Sequence, residues 1–395
     1  MAASAETGER RRRVGAWGFE GESFPPTRAM RRWLAERLGP AARPRAVAAE
    51  TIAVPPPLPL PELPAATSLD PIDRLRHARG QGLPDVVRLR AGAVPAFPDA
   101  VVRPADAGEV EAVLAACAGA GVRVIPWGGG TSVIGGVNVL PGDDPVIFFD
   151  LEALAGLARL DADSGLVAFG AGTFGPRLEA DLGRHGLTLG HFPQSWELST
   201  VGGWAVTRSS GQESLGYGGI AELVAGLELV APSGRLSLAP MPATAAGPDL
   251  RQLVLGSEGR LGVVTEVTVR VRPRPRERRV EGWLVPSWEE GVAAERELLT
   301  VGAPLSMLRL SDPAETAMAM AVGLGGHAWA PVARGWLRLR GAGPDSCLLL
   351  AGAASDANAG RGSSGFSDVR EAFAAARTAL RRQSAVALSG RPGRR

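Results

Sequence analysis

The residues best suited to chemistry form a loop, Pro126-Trp127-Gly128-Gly129-Gly130-Thr131-Ser132, followed by a glycine pair at Gly135-Gly136. A short β-like run over 122–125 precedes it, so the glycines fall where a strand ends. Three successive residues without Cβ expose backbone N–H groups and let the main chain approach a ligand closely. Clustered N–H dipoles of this kind offset the negative charge of a pyrophosphate. Taken alone the loop also reads as a surface turn. A second cluster of small residues, Ser199-Thr200-Val201-Gly202-Gly203-Trp204, shifts that balance.

Four spaced segments make up the constellation. They are Pro126 to Ser132; Gln194-Ser195-Trp196-Glu197-Leu198-Ser199-Thr200 with Gly202 and Gly203; Thr207-Arg208-Ser209-Ser210; and Glu258-Gly259-Arg260-Leu261-Gly262-Val263-Val264. Ser199 and Thr200 can donate to phosphate oxygens, and Gly202-Gly203 permits close approach. Residues 258–262 make a turn leading into a long strand. Each segment alone is an ordinary turn; the four in this order specify a phosphate-cradling, glycine-lined site. His191 can move a proton, its ordinary pKa lying near neutrality, or it can serve structurally by bonding a backbone carbonyl.

Gly170-Ala171-Gly172-Thr173-Phe174-Gly175 matches Gly-x-Gly-x-x-Gly between a strand and a helix, the pattern of a Rossmann dinucleotide site. That site needs an acidic residue at the end of the next strand to hold the ribose. Residues 187–189 run instead into Gly190-His191-Phe192-Pro193, with no carboxylate. The glycines are therefore read as a tight strand-to-helix turn.

The elements that must position these loops follow from periodicity. Residues 27–38 form an amphipathic helix with Met30, Trp33, Leu34 and Leu38 on one side. Residues 54–64 are proline-rich and extended, a stiff linker or wrapping arm rather than a peptide ligand. A helix over 106–119 and strands over 122–125 and 145–149 make a small β-α-β unit. Further strands are expected over 166–169, 187–189, 222–230 and 262–271, with a helix over 174–185; the prolines of 272–276 close that unit. A third region begins near Val280, with helices over 288–299 and 367–382, a strand over 305–310, and apolar runs over 335–339 and 346–350. A sheet confined to that region has few strands and an open edge.

Bulk properties set the bounds. A chain of 395 residues holds two or three domains, and 45% hydrophobic with 21% charged residues is ordinary for a globular protein. The net charge of +2 gives no reason to expect nucleic acid. No lysine occurs, so every basic residue is arginine, and arginine density carries little information about phosphate. Two distant cysteines, Cys117 and Cys347, and four scattered histidines make a disulfide framework or metal site implausible and favour a reducing cytoplasm. The Arg10–Arg13 run lacks the apolar stretch of a signal peptide and reads as a solvated tail that could attract anionic headgroups.

From about Trp17 to Leu310 the chain resembles the alkyldihydroxyacetonephosphate synthase family of flavoenzymes, with its vanillyl-alcohol-oxidase (PCMH) type of FAD-binding domain. The resemblance rests on the loop at 126–132, on Gly190-His-Phe-Pro-Gln-Ser-Trp-Glu-Leu-Ser-Thr-Val-Gly-Gly-Trp204, on Thr207-Arg-Ser-Ser-Gly211 and on Gly256-Ser-Glu-Gly-Arg-Leu-Gly-Val263. Gly247-Pro-Asp-Leu250 and Leu308-Arg-Leu310 also fit. It implies an α+β fold: a PCMH-type FAD-binding domain of two α/β subdomains over 96–276, preceded by a helix and proline-rich arm over 1–95. A partial cap of antiparallel sheet plus helices would follow over 277–395. The four segments would hold FAD, non-covalently because Thr131 stands where covalent relatives often place a histidine. Gln194 replaces an aspartate typical of the family.

The implied reaction exchanges acyl for alkyl on acyl-dihydroxyacetone phosphate without net redox change, the flavin carrying the difficult chemistry. Arg309 matches an arginine the family needs, suited to a phosphate through paired hydrogen bonds; on residues alone it is equally an exposed strand arginine. Tyr217 and Trp204 read as core or pocket-wall residues. The family's catalytic tyrosine and histidine-rich loop have no counterpart here, so the cap is expected to be incomplete and activity impaired. Partners implied are a small-molecule or lipid-phosphate substrate, a peripheral membrane and a second copy in a homodimer. Two other readings stay open, an FAD-linked oxidoreductase of 2-hydroxy acids such as lactate or glycolate, and a non-catalytic flavin-binding remnant.

Overall fold

The structure, a computed structural model, describes residues 11–23, 25–40, 46–142, 144–242, 245–324, 329–355 and 369–388. Arg10 and the start of the helix expected over 367–382 lie outside them.

Helix α1 (Arg28–Leu38) is capped by the Thr27 hydroxyl and buries no residue fully. The proline-rich arm that follows is a wrapping arm. The Leu58 amide donates to Asp99, the Arg74 guanidinium holds the Pro55 carbonyl, and Leu60 and Leu63 pack on the first core. Strand β1 (Ala66–Ser68), helices α2 (Pro71–His77) and α3 (Leu83–Ala91), β2 (Ala100–Arg103), α4 (Ala107–Ala120), β3 (Arg123–Trp127) and β4 (Val146–Asp150) complete the first unit. Its sheet runs β1-β2-β4-β3, with β2 and β3 both parallel to β4. The β3 strand extends two residues beyond the expected end, through Pro126. Proline is tolerated there because β3 is an edge strand and the missing N–H breaks no ladder. Asp106 caps α4 by accepting from Gly108 and Glu109, and Gly121 ends it in the left-handed region.

The second unit holds β5 (Leu157–Asp161), β6 (Leu166–Gly170), α5 (Gly175–Arg184), β7 (Leu187–Thr188), α6 (Val201–Thr207), α7 (Ser214–Tyr217), α8 (Ile220–Leu223), β8 (Val224–Ala231), β9 (Gly234–Leu238), α9 (Arg251–Val254), β10 (Val263–Arg270) and β11 (Arg272–Pro273). Its antiparallel sheet is ordered β5-β6-β10-β8-β9. The strand expected over 222–230 begins as a helical turn, α8. The residues expected to close the unit instead pair with β7, Arg272 opposite Thr188. Val230 and Val263 pack into the core beneath α4 and so join the first two sheets.

The third unit contains β12 (Arg278–Val285), α10 (Trp288–Thr300), β13 (Met307–Ser311), α11 (Pro313–Leu324), α12 (Ala330–Leu339), β14 (Cys347–Ala354), α13 (Val369–Arg382) and β15 (Val386–Leu388). Four antiparallel strands run β13-β14-β12-β15. The apolar run at 335–339 belongs to helix α12: Ala330 and Leu337, seven positions apart, share its buried face, a helical rather than a strand period. Helices α10 and α13 cover one sheet face through Leu298, Phe373 and Ala376.

Candidate functional site

The four predicted segments converge. A Cβ at Gly128 would lie 2.4 Å from the Thr200 hydroxyl, and one at Gly129 only 1.8 Å from the Leu198 carbonyl oxygen. Gly130 has φ +60°, and a Cβ there would strike the Trp127 ring at 2.0 Å. On the far side, Gly259 lies against Pro126, and the Glu258 carboxylate faces Gly136. The Glu258 amide donates to Val206 (2.9 Å) and the Gly256 amide to Ala205, which ties the 258–264 turn to the end of α6.

Gly129 and Gly130 are buried, yet their amides, like those of Thr131 and Ser132, have no acceptor among the described residues. A buried N–H normally finds a partner, because leaving it unmade costs about as much as a lost hydrogen bond. Successive unpaired amides on a turn with one left-handed glycine form a concavity suited to an anion. This is the chemistry a diphosphate would satisfy.

The loop is gripped from below by a turn that sequence reasoning missed, Arg79-Gly80-Gln81-Gly82. The Gln81 amide donates to the Ser132 carbonyl at 2.7 Å, and a Cβ at Gly80 would stand 2.4 Å from that same oxygen. Arg79 forms a buried ion pair with Asp85 (2.9 Å), which also accepts from Asn138. The only sequence signal was the pair of glycines around Gln81. Below Trp127 the His77 ring sits 4.9 Å away, and its Nε2 lies 3.3 Å from Asp150. Arg103 binds both Asp150 and, through two hydrogen bonds, Asp73. Arg12 belongs to this network rather than to a solvated tail. Burial pulls its guanidinium down to about 10, opposed by the charges of Asp150 and Glu152.

Several predicted contributors are committed to the protein itself. The Ser199 hydroxyl donates to the Ser195 carbonyl and accepts from the Trp204 indole, so its proton is not directed at a phosphate. Thr200 caps α6 by accepting from the Gly203 amide, and the Thr207 hydroxyl donates to the Gly203 carbonyl. Arg208, at φ 53°, reaches away to Gln252 and the Leu255 carbonyl. Trp196 fills the space above Gly175, and Val263 and Val264 point into cores. Gln194, Glu197, Arg260 and Leu261 are exposed on the surrounding loops, as is Ser210, near Gly219; Gly262 makes a bend against the Val230 carbonyl.

His191 is 1% exposed. Its Nε2 lies 2.8 Å from the Ser209 hydroxyl, its Nδ1 is buried with no partner among the described residues, and the Trp204 ring meets it edge-on. Burial pushes its pKa down to about 4, so the titration near neutrality expected from sequence is lost and the ring is neutral at pH 7. Tyr217 is core, packed on Gly190. Arg309 lies on β13 in an ion pair with Glu315, and among the described residues no hydrogen bond or ring contact joins it to the glycine segments. The third sheet meets the site through the Arg278–Glu213 ion pair, Arg278 over the Phe192 ring, and the Gly216 amide on the Ser306 carbonyl.

The Gly-x-Gly-x-x-Gly turn is filled by protein. Cβ atoms at Gly170 and Gly172 would collide with the carbonyls of Leu154 and Leu151 at 2.3 and 1.7 Å. Among the described residues no cluster could hold a metal ion.

A mixed sheet beside a five-stranded antiparallel sheet, with an amide-lined loop at their junction, defines an FAD-binding flavoprotein domain, and residues 98–238 match the FAD binding domain family. Those residues carry an FAD binding domain, and the cofactor is FAD. It is 36% identical over 260 residues to the alkyldihydroxyacetonephosphate synthase of Caenorhabditis elegans, covering 65% of this chain and 44% of that protein. It is 34% identical over 255 residues to the synthase of Trypanosoma brucei brucei, covering 64% and 41%. A solved alkyldihydroxyacetonephosphate synthase superimposes with a TM-score of 0.81 at 28% identity, over 92% of this chain and 67% of that one. The chain thus spans less than half the length of these two curated relatives.

Proposed function

We propose that this chain holds FAD non-covalently in the cradle formed by residues 126–132 and 194–203, completed by 207–210 and 258–264, and is an enzyme of the alkyldihydroxyacetonephosphate synthase type. The observation that carries the reading is the run of amides from Gly129 to Ser132, two of them on buried residues, with no acceptor among the described residues. Those N–H groups would bind the diphosphate, while Thr131 offers no imidazole for a covalent link. Bound flavin supplies the electron-pair chemistry needed to exchange acyl for alkyl at a dihydroxyacetone phosphate. His191, neutral and hydrogen-bonded to Ser209, orients that hydroxyl. Arg309 could give up Glu315 for the phosphate of an incoming substrate. We divide the chain at about residues 95 and 276 into an arm, the FAD-binding domain and a cap. A lipid-phosphate substrate also calls for peripheral contact with a membrane; a cytoplasmic location and a homodimer complete the reading.

The test begins with colour. The purified chain, or the apoprotein after reconstitution, should show a flavin absorption spectrum, and acid precipitation should release all of it. A protein that stays colourless with excess FAD removes the assignment. Incubation with acyl-dihydroxyacetone phosphate and a fatty alcohol then tests the exchange. Anaerobic bleaching by lactate or glycolate would instead favour a 2-hydroxy acid oxidoreductase.

A further inference from the structure

Arg278, the first residue of β12, reaches from the third unit to the second. Its guanidinium carbon lies 5.0 Å from the centre of the Phe192 ring, and the same group pairs with the Glu213 carboxylate. Both contacts fall where two segments of the site cross. The Gln212 amide donates to the Phe192 carbonyl at 3.1 Å, and a Cβ at Gly211 would stand 2.6 Å from the Phe192 nitrogen. Beside that crossing His191 meets the Ser209 hydroxyl. Phe192 also meets Trp196 in a T-shaped contact, ring centres 5.7 Å apart. Glu179 on α5 fixes the start of the first segment, accepting from the Thr188 hydroxyl and from the Leu189 and Gly190 amides.

We propose that Arg278 is a positioning residue for the cofactor site: it clamps the crossing of segments 190–193 and 209–213, on which the His191–Ser209 pair stands, to the third sheet. The Arg278 side chain is 47% exposed, which by itself marks an ordinary surface arginine. Glu213 makes the difference. Its side chain is 12% exposed, one of its oxygens is buried with no hydrogen-bond partner, and Arg278 is its one ion-pair partner among the described residues. Removing that cation strands a nearly buried charge, which costs far more than an exposed pair contributes. A guanidinium suits both contacts, because its planar face covers a ring while its N–H groups bind a carboxylate. Ser306 adds a second attachment by accepting from the Gly216 amide further along the same segment. The inference rests on the reading of these segments as a flavin site and concerns how they are held before a cofactor arrives.

Arg278→Ala and Arg278→Lys, made in the full chain, test it with and without FAD. In the apoprotein, Arg278→Ala should speed hydrogen exchange at the Gln212 amide about tenfold. It should also raise the His191 titration midpoint from about 4 towards 6.5, followed through the imidazole resonances of the four histidines. With FAD added, the same variant should bind about tenfold more weakly and show an altered visible circular dichroism. Arg278→Lys keeps the charge beside Glu213 and loses the planar cover over Phe192, so it should fall between wild type and Arg278→Ala in each measurement. The proposal is overturned if folded Arg278→Ala keeps the wild-type exchange rate and His191 midpoint. It is equally overturned if those two change while FAD affinity and dichroism do not, since the contact would then serve the fold alone. Should Arg278→Ala not fold, the same readings on Arg278→Lys decide. A wild type that takes up no FAD defeats the flavin reading, and the apoprotein measurements then decide this one.

Discussion

Gly129 rests directly on the carbonyl oxygen of Leu198, with no room between them for even one added carbon. The two residues belong to different loops, and their contact is what closes the cradle. The absent Cβ atoms of this glycine run serve the packing of loop on loop, and the unpaired amides are left over for a ligand. Glycine is required here for a structural reason before any cofactor arrives.

Gly129→Ala should therefore lose FAD uptake and destabilise the apoprotein by about 3 kcal/mol, since a backbone carbonyl cannot step aside. Gly136→Ala is the control. Its Cβ would meet Ser132 and Glu258 side-chain atoms at ordinary distances of 3.4 and 3.6 Å. It should stay within about 0.5 kcal/mol of wild type. Visible absorbance and urea unfolding report both effects. In wild type a hundredfold excess of FAD over its Kd should add about 2.7 kcal/mol to stability, and in Gly129→Ala nothing.

Asp150 holds Arg103, His77 and its own 3-10 turn at once, from a buried position beneath Trp127. Asp150→Ala removes the partner that the Arg103 guanidinium and the His77 ring share in a buried site and should cost about 3 kcal/mol. Because Trp127 starts the glycine loop, FAD affinity should fall as well. Wild-type affinity in a folded Asp150→Ala protein would separate the network from the cradle.

His191 gives a pH dependence of known sign. Its folded pKa, about 4, lies below the ordinary value of 6.5. Above pH 6.5 the ring is neutral in both states and its burial carries no titration penalty. As pH falls from 6.5 to 4 the unfolded chain takes up a proton that the folded chain refuses, so stability drops by about 3 kcal/mol across that window and levels off below it. His191→Asn should flatten this part of the profile. Unfolding midpoints of the two proteins, measured from pH 7.5 to 4.5, should converge at the acid end.

Arg309 should behave differently from the loop residues. Its pairing with Glu315 is half exposed, and among the described residues no hydrogen bond or ion pair ties it to the glycine segments. Arg309→Ala should leave the flavin spectrum unchanged and cost less than about 1 kcal/mol in stability. If the exchange reaction is present, it should be lost in this variant, with the loss appearing in turnover and substrate KM rather than in cofactor content.

Much of this was legible in the linear chain. Residues 126–132 and 199–203 announced themselves because glycine and small hydroxyl residues at strand ends leave few other uses. The long alternation of 262–271 had to be a half-buried strand, and the helical period of 106–119 placed α4 to within one residue at each end. Local chemistry decides such features, and local chemistry is written in order along the chain. Distance in space is not. That Arg79 to Gly82 would brace the loop from beneath depends on α2 meeting Trp127 through His77 and α3 meeting Asn138 through Asp85, a relationship with no signature in either segment. Whether Ser199 offers its proton to a ligand or to Ser195 depends on a turn geometry that sequence leaves open. His191 has the composition of a proton carrier, and only burial behind Trp204 and Ser209 decides that it stays neutral. The apolar residues of 335–339 fit a strand or a helix equally well until Leu337 meets Leu284 and Met320 and turns the remaining side chains outward. The order of residues fixes which groups exist and which backbone shapes they permit; the tertiary fold fixes which of them water, a ligand or a membrane can reach, because desolvation and contact are properties of the packed chain.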